Sequence, residues 1–286
     1  MSVAAHSLSP AATIRPGATL TRNRLYGGLF LLALVNAVSG AAVAAVHDFG
    51  VLGAALALFN VSAVVWMALA AGLAILWREP DVAPVRPFDL ALAAAVLAAA
   101  LLPLPTASAA TLSLLAVAAV ASAPRGSPLR RAGLIFLAVS GTVLWGKLFL
   151  TVLTRPVLEI DTWLMSSLLG VHQEGNVVWR DGGTVTAVVS TGCSSVHGIS
   201  VALVCWATIS QYFRVPFDRR AALTGLAAIL ATMAVNILRI GGVLVSPEWA
   251  SIIHDGWGAA VSMWISLALV VAICLYGARR EVFARA

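Results

Sequence analysis

The chain has 286 residues, of which 60% are hydrophobic and only 10% charged, with a mean hydropathy of +0.96. A soluble domain carries about 25% charged residues, so this composition excludes a water-soluble globular domain, a disordered chain and a secreted disulfide scaffold. It reads as a polytopic membrane protein. The net charge of +6 would raise nucleic-acid binding in a soluble chain. Here the positions of the charges matter more than their sum, and no nucleic-acid partner is expected. Three cysteines make neither a disulfide framework nor a zinc cluster.

The first 20 residues, rich in Ser, Ala and Pro, read as a disordered cytoplasmic tail without the apolar stretch of a cleaved signal peptide. Eight apolar runs follow and predict spanning helices at about 26–46, 56–77, 88–104, 107–123, 132–153, 193–213, 221–245 and 257–277. The third and fourth are short and Ala-rich, separated only by a few residues around Pro103-Leu104-Pro105. They form either a tight helical hairpin across the membrane or two half-inserted segments. With the N-terminus in the cytoplasm, fourteen of the 18 Lys and Arg residues fall inside. Lys147, Arg155, Arg180 and Arg239 remain in the outer half or outside. The positive-inside rule then gives eight spans with both termini cytoplasmic. The expected fold is an all-α integral membrane helical bundle with a small extracytoplasmic element between spans five and six.

That element covers about 154–192. Its first part, 157–169, is amphipathic and carries Trp163, Leu164, Met165, Leu168 and Leu169, suited to lying on the outer membrane surface. Its second part has two β-prone runs around Asp181-Gly182-Gly183, which predicts a hairpin. The hairpin is either a lid over the bundle or an edge strand that holds an extended peptide.

Polar groups that do not belong in lipid mark function in a membrane protein. They gather at the outer ends of spans five to eight. The first half offers little of the kind beyond Asn36, Asn60, His47 and Asp48 and reads as scaffold. The densest cluster is Ser190-Thr-Gly-Cys193-Ser-Ser-Val-His197. Ser190 or Thr191 is expected to cap the helix that follows, which puts Cys193 in its first turn. A helix N-terminus favours an anion and so a thiolate. Cys205, about 18 Å further down the same helix at 1.5 Å per residue, and Cys274 near the inner face read as structural.

Asn236 and Arg239 are three residues apart on one face of span seven. An Arg in a spanning helix costs about 2.5–3.5 kcal/mol by insertion scales, so Arg239 either snorkels to headgroups or serves a buried site. Gly241-Gly242 favours the buried site by admitting a close backbone neighbour. His254 precedes span eight beside Trp249 and Trp257. It is either an interfacial residue of an aromatic belt or a proton carrier. His197, one turn from Cys193, is its rival. A thiolate, a base and a fixed cation at the same ends of three consecutive spans are the parts for acyl transfer through a thioester.

In these motifs the sequence resembles the exosortase/archaeosortase family of multi-spanning, transpeptidase-like membrane proteins. Thr191-Gly-Cys193-Ser194-Ser195 is similar to that family's cysteine motif, Asn236-Ile-Leu-Arg239-Ile to its arginine motif, and His254-Asp-Gly-Trp257-Gly to its histidine motif. The likeness is sharp over about 190–260 and architectural before that. His at the third position is the bacterial form. Ser195 departs from the Cys-Ser-Gly of many bacterial members.

The resemblance implies a membrane-embedded cysteine protease or transpeptidase. Its substrates are exported proteins with a C-terminal signal of a short motif, a spanning helix and a basic cluster. Cys193 attacks the peptide carbonyl, Arg239 stabilises the oxyanion or the thiolate, and His254 moves the proton, with Asn236, Ser194 and His197 as supporting residues. An acceptor nucleophile resolves the thioester, and no metal or organic cofactor is suggested. The chain then divides into the tail (1–20), a five-helix scaffold (21–153), the extracytoplasmic loop (154–192) and a three-helix catalytic half (193–286). Two other classes fit the same residues. One is a different membrane thiol acyltransferase. The other is a transporter or assembly scaffold with Asn236 and Arg239 lining a solute path.

Overall fold

Lipid offers no partner to backbone N–H and C=O groups, so a chain this apolar must satisfy them inside helices. A computed structural model describes residues 20–79, 83–182, 185–255 and 257–284, the side chains of His254 and Asp255 excepted. The expected tail up to residue 19, Gly183 and Arg285 lie outside the described residues. The helices are α1 (Arg22–Ala37), α2 (Ser39–Leu56), α3 (Ala63–Arg78), α4 (Pro87–Leu101), α5 (Pro105–Ser122), α6 (Pro128–Ser140), α7 (Gly146–Leu169), α8 (Ser195–Tyr212), α9 (Arg219–Val243), α10 (Pro247–Ala250) and α11 (Trp257–Phe283). Among the described residues, five stretches are long and apolar enough to cross a membrane: α2, α5, the continuous α6–α7, α9 and α11. The chain is therefore an all-α membrane bundle.

The expected run boundaries shift for local reasons. The first run divides at Val38, the junction of α1 and α2. The second begins late, because Leu58, Phe59 and Asn60 hold positive φ in a 3-10 turn. α3 then starts at Ala63 behind the Ser62 cap. α3 and α4 are apolar but shorter. α6 passes through a π-helical turn, Gly141–Trp145, into α7. α7 bends at Leu153, three residues before Pro156, where the proline ring lacks an N–H and crowds the preceding turn. The helix nevertheless continues to Leu169, so the division expected at 153/154 falls within it.

Helices in lipid associate through close packing and hydrogen bonds rather than through a hydrophobic drive. Phe30 of α1 stacks on Phe136 of α6 at 4.0 Å between ring centroids. A Cβ on Gly133 of α6 would lie 2.9 Å from the Ala119 side chain of α5. Two ionic clusters, one buried and one part-exposed, tie helix ends among the described residues. Asp89, fully buried at the start of α4, accepts from Arg22 Nε at 2.8 Å and Nη2 at 2.9 Å, from the Tyr26 hydroxyl at 2.9 Å and from the Arg86 N–H at 2.8 Å. Arg22 also donates to Ser122 Oγ. The scaffold half thus carries a polar cluster that the sequence did not suggest.

At the C-terminus of α3, Glu79 accepts from Arg131 at 2.6 Å and Arg214 at 2.8 Å. Burial pushes its carboxyl up, but the two guanidinium hydrogen bonds outweigh that and hold it below the usual carboxylate range. Arg131 also donates to the Gln211 carbonyl at the end of α8, joining the two halves of the chain.

A three-stranded antiparallel sheet follows α7, in the order β1 (His172–Glu174), β2 (Val177–Trp179), β3 (Thr186–Val188). Gly170, at φ +64°, ends α7, and Gly175, at φ +57°, makes the β1–β2 turn. Val177 pairs with Val188, Val178 with Ala187 and Trp179 with Thr186. The sheet closes a second apolar core, apart from that of the main bundle, with Leu158 and Met165 of α7, Val178, Val189, Cys193, and Ile237 and Ile240 of α9.

Candidate functional site

The site grows from the junction of this small core with the starts and ends of α7, α8 and α9. Thr191–Cys193 form a 3-10 turn, and the Cys193 N–H donates to the Ser190 carbonyl at 2.9 Å. The α8 cap is Ser194, whose Oγ accepts from the Val196 N–H at 3.3 Å. This corrects the expected cap at Ser190 or Thr191 and moves Cys193 from the first helical turn to the residue before the cap. The reason lies on α7. Asp161, 7% exposed, accepts from the Ser194 hydroxyl at 2.7 Å and from the Ser195 N–H at 3.0 Å. The anion that the α8 N-terminus favours is therefore already supplied by a carboxylate. The cation that faces the thiol must come from elsewhere.

Arg239 is the cation that lines the same cleft as the thiol. Cys193, Arg239, Ile240 and Val243 line one narrow cleft with Ala187, Val188 and Val189 of the β3 segment. Arg239 is half-buried and forms no ion pair among the described residues. Asn236, one turn earlier on α9, donates to the Cys193 carbonyl at 2.9 Å and reaches Ser195 Oγ at 3.4 Å. It fixes the backbone that carries the thiol. The Ser190 hydroxyl points at Cys193 Sγ at 3.7 Å, a donor that a thiolate can use. Cys193 itself is 9% exposed, at the wall of the cleft.

The expected residues divide accordingly. Cys193, Arg239, Asn236 and Ser194 are brought together. His197 is exposed on α8 and does not line the cleft. His254 lies in a π-helical turn, Ser251–Asp255, and its side chain is outside the described residues. Its neighbour Ile253 packs so closely on α9 that a Cβ on Gly242 would lie 2.7 Å from Ile253 Cδ1. Gly241 similarly receives the Leu169 side chain. These glycines admit side chains and not the backbone neighbour expected. Cys205 and Cys274 lie in the main bundle core.

Asp161 was missed, although the sequence carries its signal. Leu158, Asp161, Thr162 and Met165 repeat at helical spacing and are all buried, so an acid sits on the apolar stripe of an amphipathic helix. Asp161→Ala leaves two buried donors without their acceptor and is expected to destabilise the fold by about 1–3 kcal/mol. Asp161→Asn keeps an acceptor in place and should cost less. Melts in detergent that coincide for wild type and Asp161→Ala would remove the carboxylate from this account.

Comparison with protein-family models, with characterised proteins and with solved structures gave no match.

Proposed function

We propose that the chain is an exosortase-like cysteine transpeptidase or peptidase of the cell membrane, and that it trims C-terminal sorting signals from exported proteins at the outer membrane face. The observation that carries this reading is the single cleft shared by Cys193 and Arg239 beside an edge strand. In the proposed topology eight segments cross, both termini are cytoplasmic and the cleft faces outward. The arrangement of charge supports it. The Gln211 carbonyl that Arg131 binds lies 16 residues along α8 from Ser195, roughly 24 Å at 1.5 Å per residue, so the Glu79 cluster sits at the end of α8 remote from the cleft. Arg22, Arg78, Arg86, Arg130, Arg131 and Arg214 belong to the Glu79 end or to the matching helix ends, as the positive-inside rule requires of the cytoplasmic side.

The chemistry follows from the side chains. The Cys193 thiolate attacks the scissile carbonyl carbon, and the oxyanion is met by the planar guanidinium of Arg239. The C–S bond forms, the C–N bond breaks, and the leaving amine takes a proton from His254. An acceptor amine or water then gives its proton to His254 and attacks the thioester, which releases Cys193 as the thiolate.

The test uses intact cells and a reporter. A membrane-impermeant maleimide should label Cys193 and a Cys replacing His254, but not a Cys replacing Arg219. An exported reporter that ends in a motif, a spanning helix and a basic cluster from the same genome should lose its helix when co-expressed with the chain. Labelling at position 219 from outside inverts the topology. An untrimmed reporter panel rejects the activity.

A further inference from the structure

The cleft has an unused polar wall. In the β2–β3 ladder, the Val189 N–H donates to the Asn176 carbonyl at 2.8 Å. Hydrogen-bonded pairs alternate with non-bonded ones in an antiparallel ladder, so 176 with 189 and 178 with 187 are the bonded pairs. Val177 with Val188 and Trp179 with Thr186 are then the non-bonded pairs. The N–H and C=O groups of Thr186 and Val188 consequently point away from β2. β3 is the last strand of the sheet, and among the described residues nothing pairs with that edge. Val188 is 61% exposed and lines the cleft with Cys193 on the same segment and Arg239, Ile240 and Val243 across from it on α9. Alternate donors and acceptors spaced along an extended edge match the backbone of another extended chain. They match neither a folded domain nor a small apolar ligand.

We infer that the substrate enters as an added β-strand. Its backbone hydrogen-bonds to Val188 and Thr186 along the free edge of β3 and delivers the scissile carbonyl to Cys193. This inference rests on the peptide-cleaving reading above and names how that site takes its substrate. Recognition by β3 is of main-chain groups, so it tolerates changes of side chain in the residues that lie along the strand.

The edge location of Val188 makes it testable. Proline at a sheet edge removes only an outward N–H and is accommodated there, whereas Val188→Thr keeps the N–H and changes the side chain. The measurement is trimming of the reporter in membranes, with Cys193→Ala as the blank. Val188→Pro is expected to trim at least roughly fivefold more slowly, the scale of a lost backbone hydrogen bond, and Val188→Thr, which keeps the N–H, to be slowed less than Val188→Pro. Unchanged maleimide labelling of Cys193 in Val188→Pro shows that the site is still formed.

The wild-type chain gives an independent reading with synthetic peptides spanning the cleavage site, N-methylated at one residue at a time. Methylation should slow cleavage at every second residue along the strand and spare those between. Cys193-dependent trimming with Val188→Pro as fast as wild type, or a flat methylation scan, overturns strand addition and leaves the cleavage activity standing. Absence of Cys193-dependent trimming overturns both. A Val188→Pro chain that loses Cys193 labelling hands the decision to the methylation scan.

Discussion

Cys193→Ala is expected to abolish trimming of the reporter while the chain still inserts and melts like wild type. Loss of a catalytic nucleophile elsewhere costs on the order of 10⁶-fold in rate, so the product should fall below detection. The substitution removes one sulfur from the wall of a cleft, and the cap made by Ser194 and Asp161 remains. The controls come from the same chain. Cys205 and Cys274 are buried in the bundle core, and their alanine variants should process normally. Wild-type rates in Cys193→Ala would show that the thiol does no chemistry.

Arg239→Lys should fold and insert yet process at least roughly 10²-fold more slowly, since loss of one preorganised electrostatic contact typically costs about 2.7–4 kcal/mol. Lysine keeps the charge but not the planar fork. If Arg239 merely snorkelled to headgroups, the ammonium would serve as well and the rate would hold. The cleft shared with Cys193 argues for the fork. So does Asp161, because the α8 N-terminus already carries a carboxylate and the remaining positive group at the cleft is the guanidinium. A detergent melt separates a catalytic loss from a structural one, because Arg239 is half-buried. Near-wild-type trimming by Arg239→Lys removes the residue from the site.

Composition and run lengths made the membrane bundle legible, and the motif around Cys193 together with Asn236 and Arg239 pointed to residues of the candidate site that the structure places near one another. What escaped depends on contacts far apart in sequence. The Arg22–Asp89 pair spans 67 residues and looks like two ordinary flanking charges until α1 and α4 meet. Asp161 caps a helix 33 residues away, and that distant bond, rather than local capping preference, displaced the cap from Ser190 to Ser194. The late start of α3 reflects three consecutive positive-φ residues, Leu58, Phe59 and Asn60, of which only Asn favours that region. The β2–β3 register, and with it the outward groups of Val188, follows from pairing geometry that strand propensity alone does not fix.

In the proposed mechanism Cys193 carries the substrate as a thioester. Wild-type membranes mixed with the reporter, quenched in acid within the first turnovers and digested for mass spectrometry test it most directly. An acyl adduct is expected on the Cys193 peptide, with a mass equal to the substrate segment upstream of the cut, released by neutral hydroxylamine and absent from Cys205 and Cys274. Trimming that proceeds while Cys193 stays unmodified at every time point would contradict it.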